Sequence, residues 1–271
     1  MTTSPAIDVD IDWDDAFANG PYIPGAAEYP ARFKAAASAF RAQAGGMLDV
    51  PYGPDPRERM DLFAPAAATR GLFVFVHGGY WHLPFGKADW SHLAAGAVAS
   101  GWSAAVLEYP LCPAARVSAI TRSVAAAIAV AAARVAGPIV VAGHSAGGHL
   151  AARMACADAP LDPALRARLR RCAPISGVFD LRPLLATRMN AALGLDDAEA
   201  AAESPVLRAQ ATAVVAWVGE AERPEFHRQA RCLTQAWPAA TTHVAAGRHH
   251  FDVIDLLRDA DGAMLRTMLA D

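Results

Sequence analysis

The sequence predicts an α/β fold, a mostly parallel central sheet with helices on both faces and a small cap. Three observations lead there. Leu72-Phe73-Val74-Phe75-Val76, Ser103-Ala104-Ala105-Val106-Leu107 and Ala213-Val214-Val215-Ala216-Trp217-Val218 are short, continuous apolar runs of the kind buried on both faces of a sheet. Longer helical stretches separate them, so strand and helix alternate along the chain. Ahead of the alternation, two strand-like runs flank the turn Gly53-Pro54-Asp55-Pro56, which reads as an antiparallel hairpin.

In chain order, Tyr29-Pro30 opens a helix that runs to about Gln43, with Pro30 suited to its first turn and Gly45-Gly46 ending it. Residues 47–52 and 59–63 form the hairpin. The strand at 72–76 is followed by a helix over 90–100, and the strand at 103–107 by an alanine-rich helix over 117–135. The strand at 139–142 leads into a helix over 148–158. A short strand follows at 172–175, then the strand at 213–218, a helix over 225–237, a last strand at 242–246 and a terminal helix over 253–269. The stretch from Phe179 to Arg208 breaks the rhythm, so a small cap is expected as an insertion at about 178–210. Residues 1–271 are expected to form a single domain, with 1–46 as an N-terminal helical extension.

Composition agrees with a packed enzyme-sized domain. The chain has 271 residues, 54% hydrophobic and 19% charged, which is long enough for a sizeable core and too apolar for disorder. A net charge of −3 gives no electrostatic footprint for nucleic acid or an anionic membrane. Cys112, Cys156, Cys172 and Cys232 show neither C-x-x-C spacing nor pairing with histidines, as expected of buried free thiols in a reducing compartment. The acidic start Met1 to Asp10 lacks the apolar core of a secretory signal, and the longest apolar stretch, 124–133, is too short to cross a bilayer. A cytoplasmic protein acting on a small molecule, with no metal or other cofactor, is the expectation. No pattern specifies an oligomeric state.

The chemistry is concentrated at Gly143-His144-Ser145-Ala146-Gly147, directly after the apolar run Pro138-Ile139-Val140-Val141-Ala142. A strand that turns this abruptly into a helix lifts Ser145 over the end of the sheet. Glycines on either side are needed where a Cβ would strike the neighbouring strand and helix. A serine hydroxyl is a weak nucleophile, so it needs an imidazole to take its proton and a carboxylate to orient that imidazole. In an α/β-hydrolase sheet the chain order is serine, acid, histidine.

The histidine belongs in the loop after the last strand, Gly247-Arg248-His249-His250-Phe251-Asp252. His250, directly before the helix-opening Phe251, is the favoured base, and His249 is a loop residue or secondary hydrogen bonder. The acid belongs after the preceding strand, in Gly219-Glu220-Ala221-Glu222-Arg223-Pro224-Glu225. Glu222, third after the glycine, is favoured; Glu220 and Glu225 are the rivals, with Asp252 and Asp180 further outside. Acyl transfer also needs N–H donors aimed at a developing oxyanion. Ala146 supplies one, and the loop His77-Gly78-Gly79-Tyr80-Trp81 supplies the others, because paired glycines let the backbone come close to a substrate. His77 reads as a brace for that loop. His82 and His92 lack carboxylates or cysteines at ligand spacing, which argues against a metal site.

These residues carry a family resemblance. His77-Gly78-Gly79-Tyr80-Trp81 resembles the H-G-G-x-W signature of the kynurenine formamidases (arylformamidases). The likeness continues through Gly143 to Leu150, Ile175 to Leu184, Pro224-Glu225-Phe226-His227-Arg228-Gln229 and His250-Phe251-Asp252. Tyr109-Pro110-Leu111-Cys112-Pro113 is similar to a segment shared with hormone-sensitive-lipase-like esterases. Together the matches run from about Tyr52 to Asp255. The resemblance implies Ser145 as nucleophile, His250 as base and Glu222 as acid, where that family normally has aspartate.

It further implies hydrolysis of N-formyl-L-kynurenine to kynurenine and formate. Backbone amides of Gly79, Tyr80 and Ala146 would hold the oxyanion, with Gly78 leaving room. Tyr80, Trp81 and Phe85 are placed to wall the aromatic leaving group, or to pack beneath the cap. Two other readings stay open: a carboxylesterase acting on short acyl or aryl esters, and a non-catalytic hydrolase-fold binding protein.

Overall fold

The structure is a computed structural model that describes residues 11–270. The acidic opening, residues 1–10, lies outside the described residues, as does that part of the expected N-terminal extension. Eight strands make one sheet: β1 Gly46–Pro51, β2 Arg59–Phe63, β3 Leu72–Val76, β4 Ser103–Leu107, β5 Ile139–His144, β6 Leu169–Ile175, β7 Ala213–Gly219 and β8 Thr241–Ala245. Their spatial order is β1-β2-β4-β3-β5-β6-β7-β8. The hairpin strand β2 pairs antiparallel with both β1 and β4, and every later pairing is parallel. The predicted alternation has therefore produced a parallel sheet with an antiparallel edge.

The strands β3, β4 and β5 are buried along their whole length, which is why their sequences show no polar alternation. Their side chains still divide by the two-residue period. Leu72, Val74 and Val76 face one apolar layer, packed by the helices Val117–Ala132, Ala146–Met154 and Pro224–Ala236. Phe73 and Phe75 face the other, packed by Tyr29–Gln43, Ala95–Ala99 and Ala263–Leu269. Burying each such phenylalanine contributes roughly 1.5–3 kcal/mol before cavity and strain terms.

Three elements depart from expectation for local reasons. The single helix expected over 90–100 is instead the α-helical turn Lys87–Trp90, the tighter 3-10 turn Ser91–Ala94 and the helix Ala95–Ala99. The Ser91 hydroxyl donates to the Lys87 carbonyl at 2.7 Å and so competes with the helical ladder there. The terminal helix is split into the 3-10 segment Val253–Arg258 and the helix Ala263–Leu269. Between them the Asp259 carboxylate accepts the Asp261 N–H at 3.0 Å, which closes a turn. β6 begins at Leu169, earlier than the four residues read from sequence.

The 178–210 segment folds as the short helical turns Arg182–Ala186, Asn190–Leu193, Asp197–Ala202 and Pro205–Leu207. Phe179, Leu181, Leu184 and Ala200 are buried in the same apolar layer as the helix Ala146–Met154. Gln229 fixes its start, its side-chain oxygen accepting the N–H groups of Phe179 and Asp180 at 2.7 and 2.8 Å.

The N-terminal helix buries Tyr29, Phe33 and Ala37, one face at four-residue spacing. Its Arg41 reaches the buried Asp61 of β2 at 2.8 Å. Among the described residues no helix is long and apolar enough to cross a membrane.

Candidate active site

The turn between β5 and the helix Ala146–Met154 places the serine. Ser145 sits at φ 55°, ψ −116°, a backbone conformation that a non-glycine residue adopts only when its surroundings enforce it. The enforcement is visible at the flanking glycines. A Cβ on Gly143 would lie 2.1 Å from the Gly147 carbonyl, and one on Gly147 would lie 2.0 Å from the Val76 carbonyl. Strand and helix are thus in backbone contact, and the Ser145 N–H is held by the Ile175 carbonyl of β6 at 2.9 Å.

Glu222 and His250 meet as the chain order requires. The loop after β7 brings the Glu222 Oε2 to 2.7 Å from Nδ1 of His250, and both side chains are buried. The other carboxylate oxygen accepts the Ser176 hydroxyl at 2.5 Å and the Gly219 N–H at 2.7 Å. With one oxygen held this way, the other accepts a hydrogen bond from Nδ1–H of His250, which leaves the lone pair on Nε2. Ser145 and His250 border one cavity. No hydrogen bond joins the serine hydroxyl to Nε2 among the described residues; such contacts commonly tighten only when substrate binds.

The rival acids are occupied elsewhere. Glu220 accepts the Gly247 N–H at 2.8 Å, and Glu225 pairs with Arg228 at 2.6 Å. Asp180 pairs with Arg182, and Asp252 accepts the His249 N–H. His249 itself bonds the Tyr29 hydroxyl at 3.1 Å through Nε2, while its Nδ1 accepts the Phe251 N–H at 3.1 Å.

The glycine loop after β3 closes against the serine. A Cβ on Gly78 would lie 3.1 Å from the Ser145 Cβ, so the missing side chain is what admits the loop. Gly79 takes φ 118°, and Tyr80 and Trp81 follow at φ 51° and 58°. The backbone N–H groups of Gly79, Tyr80 and Ala146 donate to no backbone carbonyl among the described residues. His77 braces the loop as expected: its Nδ1 donates to the Gly78 carbonyl at 2.7 Å and its ring stacks on Tyr109 at 4.2 Å. Burial pushes its imidazole down to about 3, so it stays neutral.

The cavity has a volume of about 140 Å³. Tyr80 and Phe85 line it. Trp81 does not: it is 1% exposed and packs edge-on to His149 at 5.2 Å, inside the core. The remaining wall includes Tyr29, Pro30 and Phe33 of the helix Tyr29–Gln43 together with Leu83, Asp89, Trp90 and Phe251, none of them among the site residues read from sequence. None of the residues bordering the cavity belongs to the 178–210 segment. The i, i+4 spacing of Tyr29 and Phe33 was the available signal, since it marks one apolar face.

His144 was also missed. Its Nε2–H donates to the His250 carbonyl at 2.8 Å, tying the loop of His250 to the serine turn. Burial and the neighbouring His250 hold its imidazole well below the ordinary value, which keeps Nδ1 unprotonated.

Comparison with known proteins agrees with this architecture. A family profile described as the alpha/beta hydrolase fold matches residues 73–250. The chain is similar to the kynurenine formamidase of Salmo salar, 27% identical over 247 residues, covering 84% of this chain and 83% of that protein. The kynurenine formamidase of Danio rerio is 28% identical over 242 residues, with 82% and 80% covered. Among solved structures, a protein of Silicibacter sp. TM1040 described as a candidate thioesterase matches with a TM-score of 0.93. It is 47% identical, over 96% of this chain and 100% of that one. An esterase of Pyrobaculum calidifontis, 19% identical, matches with a TM-score of 0.64 over 88% and 90% of the two chains, a likeness of fold alone. With its sheet order, its strained serine turn and this match over most of its length, the chain belongs to the alpha/beta hydrolase fold family.

Proposed function

We propose that the protein is a serine hydrolase that removes a small acyl group from an aryl amide or ester, with N-formyl-L-kynurenine as the natural substrate. The observation that carries this reading is the 2.7 Å contact between Glu222 and His250 beside Ser145, at one small cavity walled by rings. The similarity to two fish kynurenine formamidases supports the choice of amide.

Ser145 attacks the carbonyl carbon while Nε2 of His250 takes the hydroxyl proton. Glu222 holds the imidazole and stabilises its charged form. The N–H groups of Gly79, Tyr80 and Ala146 receive the negative charge that develops on the carbonyl oxygen. The tetrahedral adduct collapses as His250 returns the proton to the departing amine or alcohol. Water, deprotonated by the same nitrogen, then cleaves the acyl-serine and regenerates the hydroxyl. No metal or organic cofactor takes part in these steps, and the bond broken is the acyl carbon to nitrogen or oxygen bond.

The Silicibacter neighbour favours a second reading, hydrolysis of a thioester or ester by the same acyl-serine route. Comparing kcat/KM for N-formyl-L-kynurenine, p-nitrophenyl acetate and an acetyl thioester separates them. The amide reading expects N-formylkynurenine to be turned over at least as efficiently as the two esters. A preference of roughly a hundredfold or more for either ester, about 2.7 kcal/mol in transition-state binding, would assign the activity to the second reading.

A further inference from the structure

Tyr80, in the glycine loop beside Ser145, has a strained backbone and a side chain that is tied down at its far end. It takes φ 51°, in the left-handed region that a bulky side chain rarely adopts. Such a conformation persists only where the surroundings over-determine it. The Tyr80 N–H does not supply the restraint, because it donates to no backbone carbonyl among the described residues. The hydroxyl does. It donates to the Phe17 carbonyl at 2.8 Å and accepts from Nδ2 of Asn19 at 3.2 Å.

Both partners belong to a segment 63 and 61 residues earlier in the chain, and that segment is itself fixed. The Phe17 ring is buried edge-on to Phe226 at 6.4 Å, and the Asp14 carboxylate accepts the backbone N–H and the Nε–H of Arg188 at 2.8 Å each. Asn19 is 3% exposed and does not border the cavity. Its Oδ1 is buried with no partner among the described residues. Packing alone does not account for such a residue, since an apolar side chain of similar size would bury no unpaired oxygen. What the amide does provide is the donor to Tyr80. The single hydroxyl proton of Tyr80 is committed to Phe17, so the phenol is an anchor and offers no proton to a bound molecule.

We infer that Asn19 and the Phe17 carbonyl, by gripping the Tyr80 hydroxyl, hold the Tyr80 backbone N–H where an oxyanion forms. Asn19 is then a positioning residue that acts through Tyr80 without touching the substrate. This inference rests on the proposed function, in which that N–H receives the charge on the carbonyl oxygen.

The test compares the wild type with Tyr80→Phe, Asn19→Ala and the double variant, with Tm as the control for folding. Each is assayed for kcat and KM on phenyl acetate, and for binding of trifluoroacetophenone and acetophenone. The first ketone adds the serine oxygen to its carbonyl carbon and so forms an oxyanion; the second, of similar shape, binds without that step. Tyr80→Phe keeps the ring and loses the anchor, so kcat should fall roughly 10- to 100-fold with KM within about threefold. Trifluoroacetophenone should weaken about tenfold or more while acetophenone holds within about twofold. Asn19→Ala should lose roughly 3- to 10-fold in kcat in the wild type and less than about twofold in the Tyr80→Phe background. A kcat loss below about threefold in Tyr80→Phe, equal weakening of both ketones, or an Asn19→Ala loss that persists without the hydroxyl overturns the inference alone. A wild type with no Ser145-dependent turnover overturns the hydrolase reading and the inference with it.

Discussion

Replacing Glu222 with glutamine changes the shape of the site hardly at all and reverses one hydrogen bond. The Ser176 hydroxyl and the Gly219 N–H, at 2.5 and 2.7 Å, both donate to Oε1. In the Glu222→Gln variant those two donors will hold the amide oxygen in that place, so the NH₂ group takes the position 2.7 Å from Nδ1 of His250. Two donors cannot face each other, so Nδ1 becomes an acceptor and the proton moves to Nε2. The lone pair that should receive the serine proton is then gone. A triad locked in the wrong tautomer loses about 10⁴ in kcat, or about 5 kcal/mol of transition-state stabilisation. The assay is kcat on the best ester substrate at neutral pH, with Tm as the control for folding. Glu220→Gln serves as the comparison, since Glu220 accepts only from Gly247 in this loop and its loss should leave kcat within about twofold. If Glu222→Gln keeps a tenth or more of the activity, or Glu220→Gln is the more damaging, the assignment of the acid is wrong.

Three further outcomes follow from the geometry. His144→Leu removes the 2.8 Å donor to the His250 carbonyl, and kcat should fall roughly 10- to 100-fold with KM little changed. His144→Gln, which can present an N–H to the same carbonyl, should recover most of that loss, and equal losses in both variants would deny His144 a positioning role. Gly147→Ala puts a Cβ 2.0 Å from the Val76 carbonyl, a backbone contact that no rotamer relieves. Destabilisation of about 3 kcal/mol or more is expected, read as a Tm lower by roughly 6–12 °C, and an unchanged Tm would contradict the packing described. Acid should destabilise the fold through its buried histidines. Burial lowers His77 from 6.5 to about 3 and His149 to about 4. The unfolded chain takes up these protons first, so stability is complete above 6.5 and falls as pH drops towards the folded values. At pH 5 the loss is about 2 kcal/mol per histidine, visible as a lower urea midpoint than at pH 7.5. A midpoint independent of pH over that range would contradict it.

Much of the fold was legible because burial leaves its mark on composition. β3, β4 and β5 are buried along both faces and read as unbroken apolar runs, and the strand order of an alternating chain then placed Glu222 and His250 in the two loops beyond Ser145. The elbow glycines were legible for a similar reason, since a Cβ at either position would fall 2.0–2.1 Å from a backbone carbonyl and only glycine avoids it. What the sequence hid were contacts whose partner lies far along the chain. The spacing of Tyr29 and Phe33 marks an apolar face but not its counterpart, which proved to be the cavity and His249, 220 residues away. Of the two places left open for Trp81, cavity wall or packing, the structure shows packing in the core against His149, and nothing in the residue type decides between them. The split terminal helix was hidden for a local reason, an aspartate at 259 whose side chain competes with the helical ladder.

The central claim is that Ser145 is the nucleophile, and covalent labelling tests it most directly. After treatment with a fluorophosphonate, the intact mass should rise by one adduct per chain, mapped to the peptide that contains Ser145. Ser145→Ala should take no label and should lose about three orders of magnitude or more in kcat while keeping its Tm. A label on another residue, or a Ser145→Ala protein that still hydrolyses ester and amide at the wild-type rate, would contradict the account.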